Sequence, residues 1–134
     1  MVLGIGLDLC QIRRIDAAME RPRFLERVYA PAERARISSA SGSRRAEIAA
    51  GLFAAKEAVS KSLGTGFSGF GFADIEIVPD AAGRPTCALR GGAKARADAL
   101  AGEGAWRIWV SITHEAGIAA ATAILEGGDR PCCR

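Results

Sequence analysis

The sequence predicts an α+β fold, a small antiparallel sheet packed against a long central helix and shorter helices. Three observations carry that expectation. Residues 2–9 alternate with a period of two, and residues 45–63 repeat apolar side chains with a period near 3.6. Strand-like and helix-like stretches are also mixed without regular βαβ alternation. The chain has 134 residues, enough for one domain around one core. We place that domain at residues 1–126 and expect residues 127–134 to form a frayed tail.

In the first strand, Leu3, Ile5, Leu7 and Leu9 fall on one side, the expected core side. Gly4, Gly6 and Asp8 fall on the other, a bare face with one carboxylate. Glycine weakens a strand, so two on one face imply that something bulky approaches the backbone. A first helix is expected over about residues 12–20, interrupted at Pro22, with a turn or two resuming over residues 24–28. Pro31-Ala32-Glu33 opens another short helix, which ends in the polar stretch 38–43.

The clearest helix covers residues 45–63 and stops at Gly64-Thr65-Gly66. Ile48, Leu52, Ala55, Val59 and Leu63 form its apolar stripe. Glu57 and Lys61 point almost opposite that stripe, yet they share their side with Ala50, Phe53 and Ala54. Such a side is expected to be covered by a ligand or a second subunit. A glycine-rich loop follows over residues 64–71. Ile75, Ile77 and the turn Asp80-Ala81-Ala82-Gly83 predict a hairpin returning through Leu89. Residues 93–101 read as a helix, and residues 106–113 and 118–125 as strands joined by His114-Glu115-Ala116-Gly117.

Apolar residues make up 49% of the chain, which argues against disorder, and no apolar run reaches membrane-spanning length. The first residues lack the basic region, long apolar stretch and cleavage site of a signal peptide, so the expected location is cytoplasmic, away from any membrane. Cys10, Cys87, Cys132 and Cys133 show neither CxxC spacing nor a nearby histidine. They are expected to be reduced, inert thiols. The net charge of +3 is uneven: residues 11–45 hold nine arginines against four acids. That block suits an anionic partner, with a solvated helix face as the plain alternative. A nucleic acid is disfavoured, because only Phe24 and Tyr29 interleave with these arginines and no recognised motif is present.

Three constellations could carry chemistry: Gly4-Ile5-Gly6-Leu7-Asp8, Lys56-Glu57 with Lys61, and Ser111-Ile112-Thr113-His114. Each has an ordinary reading, respectively a turn carboxylate, a helix-supporting i,i+4 pair and a structural histidine.

Taken in order, they resemble a known pattern. Gly4-Ile5-Gly6-Leu7-Asp8-Leu9 with Arg14-Ile15, then Phe53-Ala54-Ala55-Lys56-Glu57-Ala58 with Lys61 and Leu63-Gly64-Thr65-Gly66, then Ser111-Ile112-Thr113-His114, is similar to the small holo-acyl-carrier-protein synthases. These are the short class of 4′-phosphopantetheinyl transferases, and the signatures span residue 4 to about residue 125. The resemblance implies Mg²⁺-dependent transfer of 4′-phosphopantetheine from coenzyme A to a serine of apo acyl carrier protein, in lipid metabolism and fatty acid biosynthesis. It implies a metal on Asp8 and Glu57, a proton acceptor in Glu57, and charge stabilisation by Lys61. Coenzyme A would meet Arg44, Arg45, Lys61, Gly64, Gly66, Thr113 and His114. The acidic carrier would meet Arg14, Arg21, Arg23 and Arg27. The assembly implied is a homotrimer with shared active sites. One departure stands out: the residue before the Phe53 motif is often arginine in that family, and here it is Leu52.

Overall fold

In the computed structural model, which describes residues 1–128, the elements run β1 (Val2–Gln11), α1 (Ile12–Ala18), α2 (Pro22–Val28), α3 (Pro31–Ser39) and α4 (Gly42–Ser62). They continue with a 3-10 turn at Phe72–Asp74, then β2 (Ile75–Pro79), β3 (Pro85–Leu89), α5 (Gly91–Ala101), β4 (Trp106–Glu115) and β5 (Ile118–Gly127). The five strands form one sheet in the order β1-β5-β4-β3-β2, every neighbouring pair antiparallel. The α+β expectation holds, with α4 as the long central helix.

Glycine on one side of β1 decides the layering. A methyl group at Gly4 would overlap the carbonyl oxygen of Ser62, and one at Gly6 the carbonyl oxygen of Ala58. Only glycine lets the α4 backbone settle directly on the strand. The facing residues of β5, namely Ala119, Ala121 and Ala123, are equally small and fully buried. This seam reverses one sequence expectation. The glycine side of β1 faces inward, whereas Ile5, Leu7 and Leu9 are 71%, 58% and 64% exposed. Period two identifies two faces of a strand but does not say which one a helix will choose. Here close backbone approach prevailed over side-chain volume.

Helix α4 is buried on more than the single predicted stripe. Leu52, Ala55, Val59 and Leu63 are inside as expected, and so are Ala49, Ala50, Ala54 and Ala58. Alanine allows β1, β5 and the neighbouring helices to surround the helix closely. Pro22 opens α2 rather than merely interrupting a helix, and Pro31 opens α3, both at first-turn positions where a missing N–H costs nothing. The β4–β5 hairpin turns on Ala116 and Gly117, both at positive φ. The two-residue turn matches the strand twist and extends β4 past His114.

The domain boundary also moves slightly. Gly127 pairs with Trp106 and donates its N–H to the Met1 carbonyl at 2.8 Å, so it belongs to β5 and not to a frayed tail. The rest of the predicted tail from residue 129, with Cys132 and Cys133, lies outside the described residues. Burial pushes the Cys10 thiol up to about 11 and the Cys87 thiol up to about 12, which suits unreactive side chains.

Candidate active site

Because α4 rests on the bare side of β1, its last turns come within reach of Asp8. Lys61 Nζ lies 3.2 Å from Asp8 Oδ1 and donates to the Leu7 carbonyl at 3.0 Å. The ordinary reading of Lys61 was an i,i+4 pair with Glu57. Its ion-pair partner is instead Asp8, on another element. Burial holds the half-buried Glu57 carboxyl above the usual carboxylate range, and the Asp8 charge adds to the shift. Lys61 and Arg14 pull it partly back. Asp8, Glu57, Lys61 and Arg14 are therefore one electrostatic cluster, drawn from β1, α1 and α4. Arg14 itself is exposed on α1.

A second cluster sits at the other end of α4. Glu47 Oε2 lies 3.7 Å from Arg44 Nη1 and 3.8 Å from His114 Nε2. Arg36, Arg44, Glu47 and His114 line a cavity whose wall includes Leu52 and Ile112. Arg45 is exposed and stands apart from that lining. Thr113 and His114 are neighbours on β4 and therefore point to opposite faces. His114 is on the α4 side, while Thr113 shares a cross-strand row with Ala120 and exposed Leu9. They do not line one pocket within a single chain. Thirteen residues of helix separate Arg44 from Glu57, about 20 Å along the axis.

Beyond α4, Gly64 and Gly66 both adopt positive φ, and nothing lies within 4 Å of where a Gly66 side chain would start. The backbone there is open to a ligand. Arg21, Arg23 and Arg27 surround a shallow surface groove with Glu20, Pro22 and Phe24. Phe24 stacks on Phe53 at 6.3 Å between centroids, and Tyr29 is 2% exposed with its hydroxyl donating to Ala49. The two aromatics that interleave with the arginines are thus engaged in packing.

Comparison with known proteins bears on this arrangement. A family profile described as the 4′-phosphopantetheinyl transferase superfamily matches residues 4–121. The chain belongs to that superfamily. Among curated family members, the holo-[acyl-carrier-protein] synthase of Solidesulfovibrio magneticus is 49% identical, covering 95% of this chain and all of its own length. That of Clostridium acetobutylicum is 42% identical over 94% of this chain and 98% of its own. Solved structures in the family agree. A Bacillus anthracis holo-(acyl-carrier-protein) synthase in complex with CoA (3′,5′-ADP) superposes with a TM-score of 0.78 at 34% identity, covering 96% of this chain and 99% of that one. The Helicobacter pylori synthase in complex with coenzyme A gives 0.76 at 31% identity, over 91% and 99%.

The structure brings together Asp8, Glu57 and Lys61, and separately Arg44 and His114. Three participants escaped the sequence reading. Arg36 and Glu47 belong to the second cluster, and Glu33 forms a buried ion pair with Lys56. Lys56 was visible as part of a motif. Its partner lies on a different helix and had no local signal.

Proposed function

We infer that this chain is a holo-[acyl-carrier-protein] synthase. It transfers 4′-phosphopantetheine from coenzyme A to a serine of apo acyl carrier protein and releases adenosine 3′,5′-bisphosphate. The observation that carries the reading is the convergence of Asp8, Glu57 and Lys61 across two elements, in a chain matched along nearly its whole length to such synthases. No described helix is long and apolar enough to cross a membrane, and the reading places the enzyme in the cytoplasm, in fatty acid biosynthesis.

The donor set fits Mg²⁺. Among the described residues no group of three or more His, Cys, Asp or Glu side chains could hold a metal. Two partly exposed carboxylates, with waters and substrate phosphates, are a usual magnesium environment. Asp8 and Glu57 would hold the ion, which when bound supplies positive charge at the pyrophosphate. Glu57 accepts the proton of the carrier serine as its oxygen bonds to the phosphorus nearest the pantetheine. The bond from that phosphorus to the bridging oxygen breaks, and the electron pair leaves with the bisphosphate. Lys61, half exposed on a long stem, turns from Asp8 to the phosphate oxygens and stabilises that charge.

Gly64 and Gly66 let the coenzyme approach the backbone. Arg44 and His114, with Arg45 and Thr113 less directly, meet its nucleotide end, where Leu52 offers no charge. Arg14, Arg21, Arg23 and Arg27 face the acidic carrier. Only a few covalent bonds separate the pyrophosphate of coenzyme A from its ribose 3′-phosphate. The two clusters of one chain are too far apart to hold both. A homotrimer with active sites between neighbours answers this, and the outward Ile5, Leu7, Leu9, Trp109 and Ile124 would supply an apolar interface.

Incubating the protein with apo acyl carrier protein, coenzyme A and Mg²⁺ tests the function. The carrier should gain the mass of one phosphopantetheine arm. An unmodified carrier, with coenzyme A intact, contradicts the reading.

A further inference from the structure

Lys56 is fully buried one residue before Glu57, and the mechanism above does not use it. Its ammonium lies 2.6 Å from Glu33 Oε1 and donates to the carbonyls of Val28 at 2.6 Å and Phe72 at 3.2 Å. Glu33, equally buried, accepts the Ala30 N–H at 2.7 Å and the Ile77 N–H at 3.3 Å. The pair therefore ties the end of α2, the start of α3, α4, the 3-10 turn and β2 at one point. Every ammonium proton has an acceptor.

A buried ion pair is a costly way to fill space. Apolar residues of similar volume commonly serve stability as well or better. What an ammonium adds is direction, because it holds three acceptors at fixed angles. The groups it holds are well placed for that role. Val28 follows Arg27 of the arginine face, Phe72 follows the glycine-rich loop, and Lys56 precedes Glu57. A second link runs beside it, with Phe53 stacked between Phe24 of α2 and Phe72.

We propose that Lys56 and Glu33 are a positioning pair, locking the arginine-bearing α2–α3 segment and the 3-10 turn to the α4 turn that carries Glu57. A carrier docked on the arginines is thereby held in register with the carboxylate. The proposal rests on the functional reading above. It adds a residue pair that touches neither substrate yet sets how fast the bound carrier reacts.

The test uses the double variant Glu33→Gln/Lys56→Met, which removes both charges at similar volume and keeps one carbonyl oxygen at position 33 to accept a backbone N–H. Four quantities are measured beside wild type: melting temperature, coenzyme A affinity by calorimetry, carrier KM, and single-turnover transfer at saturating carrier. The expected result is a folded protein with coenzyme A affinity within about twofold of wild type. Its transfer rate should fall by about tenfold or more, as misplacement of reacting groups produces. A role in stability alone would move the melting temperature and leave that rate unchanged, which overturns the proposal. If the double variant does not fold, Glu33→Gln alone is read the same way. Loss of fold in both assigns the pair to stability and overturns the proposal as well. A wild type that leaves the carrier unmodified fails the functional reading itself, a result the variants cannot mimic.

Discussion

The two ends of α4 are built for opposite charges. Toward its C-terminus, Glu57 and neighbouring Asp8 gather negative charge, tempered by Lys61 in the last turn. At its N-terminus, Arg36, Arg44 and His114 gather around the single carboxylate of Glu47. The helix dipole favours the same division, with an anion at the N-terminus and a cation at the C-terminus. On the proposed function, a metal-bound pyrophosphate would sit at one end and a phosphate monoester at the other. On that reading neither end is a complete site within one chain, and the contrast then teaches that one rigid helix can serve two half-sites for neighbouring copies.

Disabling the carboxylate end should have the largest effect. Asp8→Ala and Glu57→Ala should each reduce transfer to background while the melting temperature stays close to that of wild type, read by carrier mass and a thermal scan. Near-normal transfer by Asp8→Ala at limiting Mg²⁺ would break the comparison at its first term. Lys61→Gln should lower single-turnover transfer about a hundredfold, the usual scale for a lost electrostatic stabiliser. Lys61→Arg should be intermediate, since a planar fork does not reproduce a compact ammonium. Equal rates for wild type and Lys61→Gln would leave this lysine only its salt bridge to Asp8.

The arginine face should contribute less. Arg14→Glu and Arg23→Glu should reduce kcat/KM for the carrier several-fold at low salt, with the deficit shrinking as salt rises. For Arg23→Glu, which stands outside the Asp8–Glu57–Lys61 cluster, coenzyme A affinity should stay unchanged, and salt-independent losses would argue for a different role.

The smallest effect follows from the raised Glu57 pKa. The folded state holds that proton more tightly than the unfolded chain, so stability falls as pH rises from the ordinary glutamate value, about 4.3, through the raised one. At neutral pH without Mg²⁺, Glu57→Gln should melt slightly above wild type, and the gap should close below that ordinary value. Added Mg²⁺ should reverse the order by binding wild type alone. A lower melting point for Glu57→Gln at every pH would mean that the carboxylate is not strained by its surroundings.

Much of this was legible in the sequence because it is local. The strand, the long helix, the glycine-rich loop and the C-terminal hairpin all announce themselves by period or turn residues. Asp8, Glu57 and Lys61 were legible as motifs, whereas their meeting depends on Gly4 and Gly6 admitting α4. The orientation of β1 was misread for that same reason: Leu7 and Leu9 look like core residues until the helix is seen to need bare backbone. The Glu33–Lys56 pair and the Arg36–Glu47–His114 cavity join residues distant in sequence, and no local spacing encodes them.

Mixing two disabled proteins tests most directly whether the two ends of α4 meet in one site between copies. On the proposed function, Glu57→Ala removes the catalytic end, and Arg44→Glu/His114→Ala removes the nucleotide end. Each should be inactive alone when coenzyme A is kept scarce. Co-expressed in equal amounts with separate tags and assorted at random, about one interface in four should combine an intact Glu57 with an intact Arg44 from its neighbour. The mixture should therefore recover about a quarter of wild-type transfer, measured as carrier mass gain per minute. A mixture as inactive as its two parents would contradict the shared site and return both half-sites to a single chain.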